Sequence, residues 1–160
     1  MKIFIAILLM FSVSAHADIR VVDGDSLETD GKKVRLIGID APEYYQTCFD
    51  ENNIEYDCGL DAFEYLQNII EKGMAQGKKL KCKKISTDKY GRDLSECSIG
   101  KTNINRKMVK SGHAISYWSD KYKKLENKAK KNKKGIFKGK FMRPELYRIL
   151  NRYEKESKNI

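Results

Sequence analysis

The chain has 160 residues, of which 41% are hydrophobic and 34% charged, and it carries a formal net charge of +10. This length suits one domain with a modest core, and the absence of internal repeats or low-complexity tracts excludes a repeat architecture. The positive excess favours either a polyanionic partner or an anionic membrane surface, and charge alone does not separate the two.

The first 17 residues have the pattern of a cleaved signal peptide. Lys2 supplies a positive start, residues 3–13 form an almost uninterrupted apolar run, and small residues follow up to Ala17. The run is too short to anchor the chain stably in a bilayer. We therefore predict cleavage near Ala17 and export of the mature chain to a periplasm or to the medium.

The remaining sequence predicts short strands and three helices. The strands are Ile19–Asp23, Ser26–Thr29 and Lys33–Asp40, with a hairpin turn at Asp30-Gly31, followed by the hairpin Lys79–Ser86 and Leu94–Ile99. The helices are Leu60–Lys72, a short one between Asn103 and Gly112, and a third that begins at Ser119 or Asp120 and ends before Gly135. These patterns indicate an α+β, barrel-like domain over residues 18–137. A highly charged extension, residues 138–160, is predicted to be helical around Glu145–Glu154.

Four cysteines lie in the predicted exported part, and an even count in an oxidising compartment indicates two disulfides. Three pairings are possible. Neighbours in the chain are favoured: Cys82 and Cys97 flank the second hairpin turn almost symmetrically, and Cys48 and Cys58 would close a polar loop. A zinc site fits poorly, because there is no C-x-x-C pair and His113 is the one histidine after the signal.

Three further segments carry the chemistry. Asp23-Gly24-Asp25-Ser26 sits between the first two strands, an apolar run with one arginine ends in Asp40-Ala41-Pro42-Glu43, and Asp88–Arg92 forms the second hairpin turn. Together they supply carboxylate oxygens for a hard cation, a carboxylate base and two guanidinium groups, which is equipment for attacking a phosphodiester. Taken singly, each segment also fits an ordinary turn or exposed surface residues.

These segments, with Gly112-His113-Ala114, resemble in this order the thermonuclease (staphylococcal nuclease-like) family, over roughly Ile19 to Phe137. The resemblance implies a small five-stranded OB-fold barrel with three helices, a form whose surface commonly binds nucleic acid. It also implies a Ca²⁺ site formed by the carboxylates of Asp25 and Asp40 and the main-chain carbonyl of Ala41. Many members have threonine at that last position, and a carbonyl ligand survives the change.

The same resemblance assigns the catalytic roles. Glu43 would activate or orient the attacking water, and Arg35 and Arg92 would bind the phosphate through bidentate geometry. Two tyrosines and a lysine are candidate substrate contacts: Lys89, Tyr90 and Tyr117. Packing in the core is an equally good interpretation of the two aromatic residues.

We therefore expect an exported, monomeric, calcium-dependent nuclease without a stable membrane anchor, which hydrolyses DNA and RNA with low sequence specificity. By resemblance, the 5′-oxygen leaves and 3′-phosphate ends result. Two other classes of protein stay open. One is a non-catalytic nucleic-acid-binding OB module, and the other is a basic envelope-binding protein, which would leave the acidic residues unexplained.

Overall fold

The computed structural model describes residues 18–158, so the predicted signal peptide lies outside the described residues. Within this range the strands are β1 (Ile19–Asp23), β2 (Ser26–Thr29), β3 (Lys32–Leu36), β4 (Ile39–Asp40), β5 (Cys48–Phe49), β6 (Glu55–Tyr56), β7 (Leu80–Thr87), β8 (Asp93–Ile99), β9 (Thr102–Asn103) and β10 (Ile115–Ser116). The α-helices of the same range are α1 (Cys58–Ala75), α2 (Ile104–Ser111), α3 (Lys123–Lys131) and α4 (Pro144–Ser157), with 3₁₀ turns at Asp120–Tyr122 and Gly135–Lys138.

The main sheet has the strand order β1-β2-β3-β8-β7, and β9 adds to β8. Its neighbours are antiparallel except for β3 and β8, which run parallel with Arg35 opposite Leu94. The predicted hairpin between β2 and β3 is confirmed: Asp30 and Gly31 both adopt positive φ angles, 50° and 71°, as a two-residue turn between twisted strands requires.

The prediction of one continuous strand from Lys33 to Asp40 is wrong, because the structure has two strands there, β3 and β4. The chain leaves β3 after Leu36 and turns at Gly38, whose φ of 80° is easily reached only by glycine. It then enters β4, which pairs with β10 instead of with the main sheet. The turn matters for function because it separates Arg35 from Asp40 and lets the two side chains face each other.

The core lies between the main sheet and the helices α1 and α2. Leu27, Leu36, Leu66, Ile104 and Met108 are all fully buried there. The side chain of Asn103 caps α2 by accepting from the backbone N–H of Arg106, and the helix ends at Gly112, as the sequence predicts. Gly112 adopts the left-handed conformation.

Two features of the predicted fold class need correction. The structure is α+β, but it has four α-helices in the described range, not three. No strand pairing there joins β1 to β7, so the sheet is partly open and not a closed five-stranded barrel. The two-residue strands β4, β5, β6, β9 and β10 are too short to be recognised from alternation of polar and apolar residues.

The segment after Phe137 is tied to the rest of the protein. Phe49 and Lys140 form an antiparallel bridge, with backbone hydrogen bonds of 2.8 and 2.9 Å. Helix α4 follows with Pro144 in its first turn, which confirms the helix predicted around Glu145–Glu154 and extends it in both directions. None of the described helices has the length and apolar character needed to cross a bilayer.

Both predicted disulfides are confirmed. Cys82 and Cys97 are directly opposed in the β7–β8 ladder and are bonded to each other. Cys48 and Cys58 form the second bond, which joins β5 to the start of α1. None of the cysteines in residues 18–158 is free.

Candidate active site

Asp25 is held at the junction of β1 and β2 by close packing and by three hydrogen bonds. Its Oδ2 accepts from the backbone N–H of Ala41 at 2.8 Å, its Oδ1 accepts from Ser26 Oγ at 3.0 Å, and its own N–H donates to Asp23 Oδ1 at 2.9 Å. A Cβ on Gly24 would lie 2.7 Å from the Cβ of Ala41. The glycine is therefore required for the Asp-Gly-Asp turn to sit against the segment that carries Asp40.

One guanidinium joins the two aspartates. Arg35 Nη1 forms an ion pair with Asp25 Oδ1, and Arg35 Nη2 donates to Asp40 Oδ1 at 2.7 Å. Both carboxylates are buried, with 2% and 0% of each residue exposed. The structure thus brings together the arginine and the two aspartates that the sequence singles out.

Burial dominates the electrostatics of this cluster. It raises the pKa of Asp25 well above the usual value of a carboxyl, against the opposing effect of the Arg35 charge. Burial alone would lower the pKa of Arg35, but the negative charges of Asp25 and Asp40 outweigh it and raise that pKa, so the guanidinium stays charged. The positive charge of Arg35 offsets part of the cost of burying two carboxylates this close together.

Glu43 lies at the edge of the cluster, on a loop whose backbone is held by hydrogen bonds to Gln46. The backbone N–H of Gln46 donates to the Glu43 carbonyl at 2.7 Å, and Gln46 Oε1 accepts from the Glu43 N–H at 3.3 Å. Gln46 is fully buried, and its Nε2 donates to the carbonyl of Met142 at 2.7 Å. The backbone of Glu43 is therefore firmly placed, while its side chain, 35% exposed, can meet solvent.

A third arginine, which the sequence analysis does not single out, enters the site from α4. Arg148 Nη1 donates to Asp40 Oδ1 at 2.9 Å and to Glu43 Oε1 at 2.7 Å, and Nη2 donates to Asp40 Oδ2 at 3.1 Å. Burial would lower the pKa of Arg148, but its bonds to Asp40 and Glu43 outweigh this and raise that pKa. The sequence offers no signal for it, because an arginine in a charged helix ordinarily lies on a solvated face.

Arg92 lies apart from these residues in the turn between β7 and β8. Its Nε donates to Asp88 Oδ2 at 2.8 Å, while Asp88 Oδ1 accepts from the backbone N–H groups of Tyr90 and Arg92. Arg92 immediately precedes β8, whose Leu94 is opposite Arg35 in the parallel pairing with β3. The described contacts of Arg92 include none with Asp25, Asp40 or Glu43.

The three candidate substrate contacts have different surroundings. Lys89 and Tyr90 are exposed in the β7–β8 turn, with Lys89 Nζ 5.1 Å from the centre of the Tyr90 ring. Tyr117 is partly buried, stacks on exposed Trp118 at 5.2 Å and donates from its hydroxyl to Glu145 Oε1 at 3.2 Å. Core packing is therefore not the role of Tyr90, which is 68% exposed.

The donor set suits a hard cation in its chemistry. Asp25 and Asp40 each place a carboxylate oxygen against the guanidinium of Arg35, and oxygen ligands are those that Ca²⁺ and Mg²⁺ prefer. Within residues 18–158 there is no group of three or more His, Cys, Asp or Glu side chains placed to hold a metal ion. A cation here would therefore be bound by few side chains, with main-chain oxygen and water completing its shell.

Comparison with models of known families identifies the family of this chain. The family model described as staphylococcal nuclease homologue matches residues 33–139. The chain belongs to the staphylococcal nuclease family. The match covers Arg35, Asp40, Glu43 and Arg92, whereas Asp25 precedes it and Arg148 follows it.

Several curated proteins are similar to this chain. It is 33% identical over 122 residues to the succinoglycan biosynthesis protein ExoI of Rhizobium meliloti, covering 73% of this chain and 61% of that protein. It is 34% identical over 118 residues to the probable endonuclease LCL3 of Komagataella phaffii, covering 65% and 48%. It is 31% identical over 130 residues to the thermonuclease of Staphylococcus hyicus, covering 74% and 73%. The aligned part is thus about half to three quarters of these relatives' own length.

Proposed function

We propose that this protein is an exported, calcium-dependent nuclease that hydrolyses phosphodiester bonds of DNA and RNA with little sequence specificity. The observation that carries the proposal is the cluster in which Arg35 joins two buried carboxylates, Asp25 and Asp40, beside the partly exposed carboxylate of Glu43. Membership of the staphylococcal nuclease family supports it, as do the endonuclease and thermonuclease names of two relatives.

The cation is proposed to lie at Asp25, Asp40 and the main-chain carbonyl of Ala41. When bound, it would act as a Lewis acid that neutralises charge on the phosphate. The protein's contribution is to hold the two carboxylates rigidly: the N–H of Ala41 fixes Asp25, and the β4–β10 pair fixes the backbone of Asp40. Calcium is preferred in the proposal because the resemblance to the thermonuclease family implies it, and because Ca²⁺ accepts carboxylate, main-chain carbonyl and water oxygens together.

Glu43 is proposed to orient and deprotonate the attacking water. Its side chain reaches solvent, whereas Asp25 and Asp40 do not, so of the three carboxylates it alone can hold a water molecule near an incoming phosphate. A general base of this kind accelerates a reaction by about 10²–10⁴-fold. The 5′-oxygen is proposed to leave, which gives 3′-phosphate ends.

Arg35 and Arg92 are proposed to bind the phosphate. A guanidinium has five N–H donors, and the two aspartates engage Arg35 through one N–H on each terminal nitrogen, leaving further donors. Asp88 holds Arg92 through Nε alone, so both of its terminal nitrogens can donate. Lys89, Tyr90 and Tyr117 are proposed to contact the rest of the strand, and the net positive charge attracts the polyanion.

Export is proposed from the signal pattern before Ala17, and two disulfides suit an oxidising compartment. The mature protein is proposed to act as a monomer with no stable membrane anchor.

The decisive experiment is digestion of plasmid DNA and of single-stranded RNA with calcium and with a chelator. We expect cleavage only with calcium. Glu43→Gln should lower kcat by about 10²–10⁴-fold, and Arg35→Lys or Arg92→Lys by about 10²–10³-fold, because lysine lacks the planar fork. Glu64→Gln, in an exposed part of α1, is the matched control and should cut normally.

The same experiment tests the metal site and the alternative function. Asp25→Asn and Asp40→Asn should abolish calcium-dependent cleavage while binding to short single-stranded DNA at fixed salt falls far less, because the lysine charge remains. If the parent protein binds DNA but never cuts it with calcium, the protein is a non-catalytic OB module and the nuclease proposal is wrong.

A further inference from the structure

We propose that Arg148, on the helix that lies beyond the family-matched segment, is a positioning residue of the hydrolytic site that holds the Glu43 carboxylate against Asp40. The inference rests on the proposed nuclease function and deepens it. It makes α4, and with it the charged C-terminal extension, a working part of the site.

The guanidinium of Arg148 forms hydrogen bonds with the carboxylates of both Asp40 and Glu43. One nitrogen, Nη1, lies 2.9 Å from Asp40 Oδ1 and 2.7 Å from Glu43 Oε1, and Nη2 lies 3.1 Å from Asp40 Oδ2. Asp40 is fully buried and its backbone pairs with Ile115 of β10, so it serves as the fixed end of this bridge. A lysine ammonium could approach either carboxylate but could not reproduce the planar, paired contact with Asp40.

Helix α4 is seated by contacts that do not involve Arg148. Tyr147 Oη donates to the carbonyl of Tyr45 at 3.1 Å, and Gln46 Nε2 donates to the carbonyl of Met142 at 2.7 Å. Tyr45 and Gln46 lie two and three residues after Glu43 in the chain. The helix and the Glu43 loop are therefore held together by two contacts besides the ion pair, which indicates a built arrangement and not a long surface side chain that folds onto the nearest charge.

Glu43 needs such a partner. Its backbone is fixed by Gln46, but in residues 18–158 the recorded hydrogen bonds and ion pairs of its carboxylate all go to Arg148. Without that contact, the side chain would sample several rotamers. Because misplacing a reacting group by about 1 Å can cost about 10²-fold in rate, loss of Arg148 should slow the chemical step.

The test compares substitutions at two arginines of the same helix. Arg148→Gln should lower kcat on a short single-stranded DNA with saturating calcium by about 10- to 100-fold, while KM changes by less than about 3-fold. Arg148→Lys should recover only part of the loss. Arg152→Gln is the matched control, since Arg152 lies exposed one turn further along α4, and it should behave as wild type.

A double substitution separates positioning of Glu43 from a merely structural role, because a structural role would give the same loss of kcat with and without the Glu43 carboxylate. If Arg148 acts through Glu43, then Arg148→Gln should cost little when Glu43 is already Gln, because there is no carboxylate left to position. Circular dichroism confirms that each variant is folded. Should Arg148→Gln not fold, the same comparison is made with Arg148→Lys, which keeps the charge and the aliphatic stem.

Three results would overturn the inference: unchanged or faster cleavage by Arg148→Gln, a rise in KM without a fall in kcat, or an equal loss in the presence and absence of the Glu43 carboxylate. Faster cleavage would instead mean that Arg148 blocks the site. If the parent protein does not cut nucleic acid at all, the proposed function fails, and this outcome is distinguishable because it is seen before any substitution is made.

Discussion

Asn105 is a fully buried residue of α2 whose loss should destabilise the whole domain. Its Oδ1 accepts from the backbone N–H of Cys97 at 3.0 Å, and its Nδ2 donates to the carbonyls of Ile37 at 3.0 Å and Ser95 at 3.1 Å. Asn105→Ala would leave the Cys97 N–H and the Ile37 carbonyl unpaired in the interior, while the Ser95 carbonyl still accepts from the Ile37 N–H at 2.9 Å. At about 1–3 kcal/mol for each of the two groups, with partial relief from water and relaxation, we expect the free energy of unfolding to fall by about 2–4 kcal/mol.

Urea unfolding followed by far-UV circular dichroism, with the disulfides intact at neutral pH, measures this change. The matched control is Asn103→Ala, at the half-buried N-cap of the same helix, which loses one capping bond to the N–H of Arg106 at 2.8 Å. We expect the control to lose about 1 kcal/mol. If Asn105→Ala lost no more than Asn103→Ala, the buried hydrogen bonds would not stabilise the fold and the reasoning would be refuted.

Two further predictions concern pH and the disulfides. Burial, with a smaller effect of the Lys138 charge, lowers the pKa of His113 to about 4. The folded protein therefore binds the proton less well than the unfolded chain, and stability present above pH 6.5 is lost as the pH falls towards 4. Allowing for partial exposure, we expect wild type to lose about 1–2 kcal/mol more than His113→Phe between pH 7 and pH 5 in paired urea titrations, and equal slopes would contradict this. Removing the Cys82–Cys97 bond by replacing both residues with alanine should lower the free energy of unfolding by about 3 kcal/mol, the value for a loop of about 15 residues; an unchanged urea midpoint would show that the bond does not constrain the unfolded chain.

Features that depend on a few neighbouring residues are predicted correctly from the sequence. The Asp30-Gly31 turn, the Asn103 cap and the end of α2 at Gly112 are each specified by local backbone preferences. The pairing of Cys82 with Cys97 follows from the near symmetry of their hairpin. In all these cases the interacting groups are close in the chain, so the local pattern of residues is enough to predict the structure that they form.

Features that depend on packing are not predicted. The sequence indicates one strand up to Asp40, but the turn at Gly38 sends Asp40 to pair with Ile115 of β10, far along the chain. Asn105 likewise looks in the sequence like any other polar residue of a helix. Its three hydrogen bonds form because β8 and the turn after β3 lie beside it. A local pattern does not contain these partners.

The candidate site divides in the same way. The sequence by itself determined which chemistry is at hand, because Asp25, Arg35, Asp40 and Glu43 stand in a recognisable order near strand ends and turns. Only the tertiary structure decided that Arg35 lies between the two aspartates, and that Arg148 reaches Asp40 and Glu43 across 108 and 105 positions of the chain. The physical reason is that an ion pair between distant residues depends on how the elements carrying them pack, and α4 is placed by hydrogen bonds to the Glu43 loop that no periodicity in its own sequence reveals.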